Sequence, residues 1–133
     1  MKKPLFSLSQ LTAEIENNSG DARLYYKRGI ARIELQDYHG SISDLTKAIE
    51  IEPTNKWSYL YKGIAKMGIL DYHGAIADMN QAIALNPMFT AAYYSRGLLK
   101  MELGQTDSGL MDLKKASELG NSDIYEGINI GCN

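Results

Sequence analysis

A 34-residue period constrains the fold of this chain more than any other feature. Residues 22–55 return as 56–89 and, more degraded, as 90–123. The run Asp37-Tyr38-His39-Gly40 reappears as Asp71-Tyr72-His73-Gly74. Self-similarity at this spacing marks an array of stacked helical units. One unit hides too little apolar surface to fold by itself. Neighbours therefore stack into a continuous core and leave a long surface on which other molecules dock. The pattern points to binding and is silent about what is bound.

Each unit reads as a helical hairpin. In the first copy, Tyr25 to Leu35 suits a helix, Gln36-Asp37 a turn, and His39 to Glu50 a second helix. Asp37 and Asp71 are placed to cap the second helices, where a side-chain oxygen accepts from free backbone N–H groups. Pro53 and Pro87 stop those helices, because proline lacks the N–H that a helix interior requires. Gly29, Gly63 and Gly97 fall in the middle of the first helices, where glycine costs roughly 0.5–1 kcal/mol against alanine. Tolerating that cost three times predicts a close approach of the partner helix at this point. Ala48, Ala82 and Ala116 are expected to play the same part between units. The first helix is apolar nearly all round (Leu24, Tyr25, Tyr26, Ile30, Ala31, Ile33, Leu35), which is the pattern of a helix buried on several sides.

The recurring Tyr25, Gly29, Ala31, Tyr38, Ile42, Ala48 and Pro53 answer to Tyr59, Gly63, Ala65, Tyr72, Ile76, Ala82 and Pro87, and this set resembles the tetratricopeptide repeat (TPR). The third copy keeps Tyr93, Gly97, Leu110 and Ala116 but has Leu99, Thr106 and Asn121 where the small Ala, the Tyr and the Pro belong. The resemblance reaches upstream as well. Leu11-Thr12-Ala13-Glu14-Ile15-Glu16 precedes Leu45-Thr46-Lys47-Ala48-Ile49-Glu50 by one period, and Leu8, Leu11 and Ile15 form its buried stripe. The fold this implies is an all-α, right-handed α-solenoid of TPR-like helical hairpins. Its expected divisions are a capping half repeat over 1–21, full repeats over 22–55, 56–89 and 90–123, and a short C-terminal cap over 124–133. In that cap a helix around 122–130 would lay Ile124 and Ile128 on the last unit.

The resemblance also implies that the first helices line a concave groove. Its stripe would be Tyr26, Ile30 and Ile33, then Leu60, Ile64 and Met67, then Tyr94, Leu98 and Met101, with Trp57 one turn before Leu60. Spacings of four and three keep each trio on one side of its helix. Arg23, Lys27, Glu34 and Glu102 would form a polar rim. Some members of the family grip the carboxylate terminus of a chaperone with a clamp of Lys, Asn and Arg. The matching positions here are Tyr26, Ile30, Tyr61, Ala91 and Ser95, none of them charged. An amphipathic helix or apolar extended peptide suits such a surface better.

Charge also repeats with the period. Arg28, Lys62 and Arg96 share one position, Arg32, Lys66 and Lys100 another, and Asp44, Asp78 and Asp112 a third. Charges entering a stack need partners, so the Asp is expected to pair with a base across the hairpin or between units. Such pairing neutralises bases that would otherwise attract phosphate. His39 and His73 are one repeat apart, too far to share a metal at ordinary helix spacing. They read as surface groups.

A net charge of −2 gives no general attraction for a polyanion. One cysteine, Cys132, cannot form an internal disulfide. The opening Met1-Lys2-Lys3 is basic, but Ser7, Ser9, Gln10 and Thr12 break any apolar run, so no secretory signal or membrane span is expected and the cytoplasm is the expected compartment. Nothing resembles a phosphate loop, a Cys/His metal cluster or an activated nucleophile, so neither an enzyme nor a cofactor is expected. The expected function is a non-catalytic protein–protein interaction scaffold whose partner is a protein or peptide. Alternatives are self-assembly as a homodimer, a secretion-type cargo chaperone and, against its charge, an RNA-binding helical repeat.

Overall fold

The computed structural model describes residues 5–120, which form seven helices and no strand. These are α1 (Leu8–Asn17), α2 (Ala22–Glu34), α3 (Tyr38–Ile51), α4 (Lys56–Gly68), α5 (Tyr72–Leu85), α6 (Thr90–Glu102) and α7 (Thr106–Leu119). α2 with α3, α4 with α5 and α6 with α7 are tightly packed hairpins. Each second helix also packs on the first helix that follows, and α2–α4 and α4–α6 touch across the stack. The result is an all-α solenoid with α1 packed on α2 at its start. The expected C-terminal cap with Ile124 and Ile128, and Cys132, lie outside the described residues.

Local chemistry sets these helices. Asp37 and Asp71 accept from the backbone N–H of Gly40 and Gly74 at 3.0 Å, so both caps sit where the sequence places them. The first helices begin likewise, with Asp21 and Asn55 accepting from the N–H of Arg23 and Trp57. The third unit loses both caps, to Phe89 and Gln105. Phe89 replaces a polar cap with burial: it is fully enclosed and meets Trp57 edge-on at 4.7 Å between ring centroids.

Each first helix ends in the same left-handed turn. The N–H groups of Gln36, Leu70 and Gly104 reach back to Ile33, Met67 and Met101, while those of Asp37, Asp71 and Gln105 reach Arg32, Lys66 and Lys100. The pivotal residue has φ of 61° at Gln36, 64° at Leu70 and 78° at Gly104. Only the third copy has the glycine that this conformation favours.

The repeated mid-helix glycines are closing points. A Cβ built on Gly29 would lie 2.7 Å from Leu45 Cγ, and one on Gly63 2.7 Å from Met79 Cε and 3.2 Å from the Ala75 carbonyl. In the third unit the partner is itself backbone, the Gly109 carbonyl at 3.0 Å. Ala48, Ala82 and Ala116 are buried as expected. The core continues from unit to unit through Tyr26, Leu45, Trp57, Met79, Phe89 and Leu99.

The repeated acids pair across each hairpin. Arg28 donates through Nε and Nη2 to both oxygens of Asp44 at 2.9 and 2.8 Å, and Arg32 adds a third contact at 2.9 Å. Arg96 grips Asp112 the same way at 2.8 and 2.7 Å, with Lys100 at 3.0 Å. The middle rung has lysines, Lys66 at 2.9 Å and Lys62 at 4.0 Å from Asp78, and lacks the two-pronged fit of a guanidinium. Two arginines also reach the preceding second helix: Arg28 donates to Thr12 Oγ1 and Arg96 to Asn80 Oδ1. The rungs therefore close hairpins and also tie units together.

Two outcomes follow. Leu70 is 73% exposed and packs on little, so Leu70→Gly removes left-handed strain and should raise stability by about 0.5–1 kcal/mol, read as a higher urea midpoint. A lowered midpoint would mean that Leu70 contributes packing that outweighs the strain. Burial alone would push the Asp112 carboxyl upward, but hydrogen bonds and charge from Arg96 and Lys100 outweigh it and hold the pKa below the usual value. Its contribution is complete above the ordinary Asp value near about pH 4 and is lost as pH falls toward the lowered folded value. Asp112→Asn should cost up to about 3 kcal/mol at pH 7. It should also flatten the acid loss of melting temperature below about pH 4. An acid limb unchanged by the substitution would contradict this assignment.

Candidate functional site

The groove stripe is graded along the stack. In the first unit Tyr26 and Ile30 are 2% and 6% exposed, with Ile33 half-buried. In the second, Leu60 is 3% exposed while Ile64 and Met67 are half-buried. In the third, Tyr94, Leu98 and Met101 are exposed at 54%, 39% and 37%. Tyr26, Ile30 and Leu60 are thus core members on their wet side too, and Trp57, expected to reach the surface, is 97% enclosed. Each first helix is flanked by its own second helix, the preceding second helix and the next first helix, and α6 has no following first helix among the described residues.

A cavity of about 670 Å³ opens where α4, α6 and α7 meet. Its walls are mostly apolar. Trp57, Leu60, Tyr61 and Ile64 come from α4, Ala91 and Tyr94 from α6, and Leu113 and Ala116 from α7. Thr90, Ser95 and Ser117 add hydroxyls. Four expected groove residues, Trp57, Leu60, Ile64 and Tyr94, meet in this space. Of the others, Met67 is on α4 and Leu98 and Met101 are on α6 outside it, while Tyr26, Ile30 and Ile33 are on α2, which does not line it. Sequence reasoning missed the α7 wall, which belongs to a second helix, although the recurrence of Ala116 at the between-unit position was a usable signal.

The floor is an aromatic cluster. Tyr61 stands edge-on to Tyr26 at 5.9 Å and tilted against Trp57 at 6.3 Å. Burial pushes both phenols above their ordinary pKa, with a further rise from the neighbouring Tyr61 at Tyr26 and from Glu34 at Tyr61. Both stay neutral donors across the physiological range. Trp57 Nε1 and the Tyr26 hydroxyl are buried with no hydrogen-bond partner among the described residues. Lys56 lies over the Trp57 and Phe89 rings at 5.9 and 5.2 Å, placing a cation beside the cavity's aromatic wall.

Three of the four rim residues engage the chain itself. Both Glu34 carboxylate oxygens accept from the Leu5 N–H at 3.2 and 3.1 Å, and Lys27 Nζ stands 5.8 Å from the Phe6 ring centroid. Arg23 pairs with Asp21 at 3.5 Å, and Glu102 is exposed. The clamp positions Tyr26 and Ile30 are buried and Tyr61, Ala91 and Ser95 half-buried, so none of these five positions offers a cationic grip for a carboxylate. His39 and His73 are exposed, and among the described residues no cluster of three or more His, Cys, Asp or Glu could hold a metal. No described helix is long and apolar enough to cross a membrane.

Residues 22–55 match the family model for the tetratricopeptide repeat. Comparison with curated protein sequences gives no match. Among solved structures, a crystal structure of MamA is 22% identical, with 93% of this chain and 74% of that chain covered and a TM-score of 0.80. MamA 41-end from Desulfovibrio magneticus RS-1 is 16% identical over 84% of this chain and 63% of its own, with a TM-score of 0.79. The second TPR of Spaghetti (RPAP3), bound to the HSP90 peptide SRMEEVD, is 24% identical over 80% of this chain and 99% of that one, with a TM-score of 0.73. At these identities the likeness is one of fold.

The gradient separates core from accessible wall by stability. Trp57→Ala should cost about 3–5 kcal/mol in chemical denaturation, as an enclosed aromatic does. Tyr94→Ala should cost under about 1 kcal/mol, since half of that side chain is already wet. Similar losses for both would contradict the division.

Proposed function

We propose that this chain, whose residues 22–55 match the tetratricopeptide-repeat family model, is a non-catalytic protein-interaction module that seats an amphipathic helix or apolar peptide segment in the cavity between α4, α6 and α7. The observation carrying this reading is the convergence of Trp57, Leu60, Ile64 and Tyr94 with the α7 wall in one open, apolar space. An apolar side chain entering it exchanges water for aromatic and aliphatic contact at roughly 25 cal/mol per Å² buried. The walls are fixed by core packing, so little ordering is needed on binding. The Spaghetti (RPAP3) TPR seats an acidic peptide with a C-terminal Asp. This groove lacks a cationic clamp, so its ligand is apolar in character.

Selection from a random peptide library tests the proposal. Wild-type protein should enrich amphipathic, apolar-faced sequences, and Tyr94→Ala should weaken the best of them by about 2 kcal/mol. Ile64→Glu should abolish binding while the melting temperature stays near that of wild type. The peptide SRMEEVD should show no measurable affinity. Tight SRMEEVD binding, or enriched peptides indifferent to Ile64→Glu, would overturn the assignment.

A further inference from the structure

One row of α6 runs Ala91, Ser95, Leu98 and Glu102, and spacings of four and three keep these residues on one side of the helix. Ala91 and Ser95 line the cavity, and Leu98 is 39% exposed beyond it. Glu102 closes the row, roughly 10 Å past Ser95 along the helix axis. It is exposed, and among the described residues it makes no hydrogen bond or ion pair. The bases of the same helix are engaged on another side, where Arg96 and Lys100 hold Asp112. Glu102 is also the last residue of α6, where the helix dipole is negative and disfavours an anion. An unpaired carboxylate there destabilises the free protein, and a cation bound to it removes that cost.

The chain contains an occupied version of the same row. On α2 the equivalent positions hold Arg23, Lys27, Ile30 and Glu34. The nonhelical segment ahead of α1 lies along them. Phe6 packs on the core with Lys27 over its ring, and Leu5 donates its backbone N–H to both oxygens of Glu34 at 3.2 and 3.1 Å. The middle unit has Gly68 at this position, where an added Cβ would lie 2.5 Å from the Tyr38 ring. The acid therefore stands only in the first and third rows. Glu34 has its donor from the chain itself, and Glu102 awaits one.

We propose that Glu102 makes the cavity selective for a basic partner: a peptide segment whose apolar side chains fill the space between α4, α6 and α7 and whose Lys or Arg pairs with Glu102. A ligand lying along α6 as residues 5–6 lie along α2 brings its donors to this carboxylate. A cationic donor forms the stronger, charge-assisted bond and steers association toward an acidic rim. The inference rests on the cavity being a peptide seat, and adds the charge of what it seats.

Parallel peptide selections on wild type and on Glu102→Lys test it. Wild-type peptides should carry Lys or Arg at a fixed spacing from the apolar anchor, about seven residues if helical and about three if extended. The Glu102→Lys selection should place Asp or Glu there. For one wild-type peptide, Glu102→Gln should weaken binding about three- to fivefold, the scale of an exposed ion pair. Glu102→Lys should weaken it about tenfold, chiefly in the association rate, and changing the peptide's base to Glu should restore affinity for that variant. These differences should vanish near about 1 M salt. The melting temperature of Glu102→Gln should hold level or rise, as loss of an anion from a helix's negative end requires. Peptides that depend on Ile64 yet bind Glu102→Lys as tightly as wild type overturn this inference and leave the peptide seat standing. Indifference to Ile64→Glu removes the peptide seat, and this inference with it.

Discussion

The close approach of the two helices in each hairpin positions everything else. With no side chain at Gly29, Gly63 and Gly97, Leu45, Met79 and the Gly109 backbone sit against the first helices at distances a Cβ would forbid. That approach brings Asp44, Asp78 and Asp112 within reach of two bases apiece. It also turns the first-helix stripe away from its own second helix and toward the concave side. A larger residue at the glycine position would spread the hairpin, weaken the ionic rung and tilt the groove wall together.

Stacking then decides which groove residues are available. The first unit lies between α1 and α4, with Phe6 packed under Lys27, and its stripe becomes core. The third unit has a neighbour on one side only among the described residues, and its stripe stays open. The accessible part of the stripe is consequently the α4–α6–α7 end, and the aromatic cluster of Tyr26, Trp57, Tyr61 and Phe89 packs beneath it.

Much of this was legible in the sequence. The period implied stacked helical hairpins, Asp37 and Asp71 marked their caps, and the threefold recurrence of Asp with two bases the ladder. These are local or strictly repeating signals, so one unit predicts the next. Burial of Tyr26, Trp57 and Leu60 was not legible, because all positions of one stripe look alike in sequence and differ only by how many neighbours cover them. Phe89 passed unnoticed as a core residue because it occupies a capping position. The missing cap, where Asp21 and Asn55 stand in the earlier units, was the available clue. The engagement of Glu34 and Lys27 by Leu5 and Phe6 involves a nonrepeating segment, for which periodicity offers no guide.

The most direct test of the account is to map a bound, library-selected amphipathic peptide on the protein by NMR. The account predicts shifts at the Trp57 indole N–H and at the Ile64, Ala91 and Leu113 methyls, with the Ile30 methyls unmoved. Perturbation centred on Ile30, or on the exposed faces of α3 and α5 with the Trp57 indole unchanged, would contradict it.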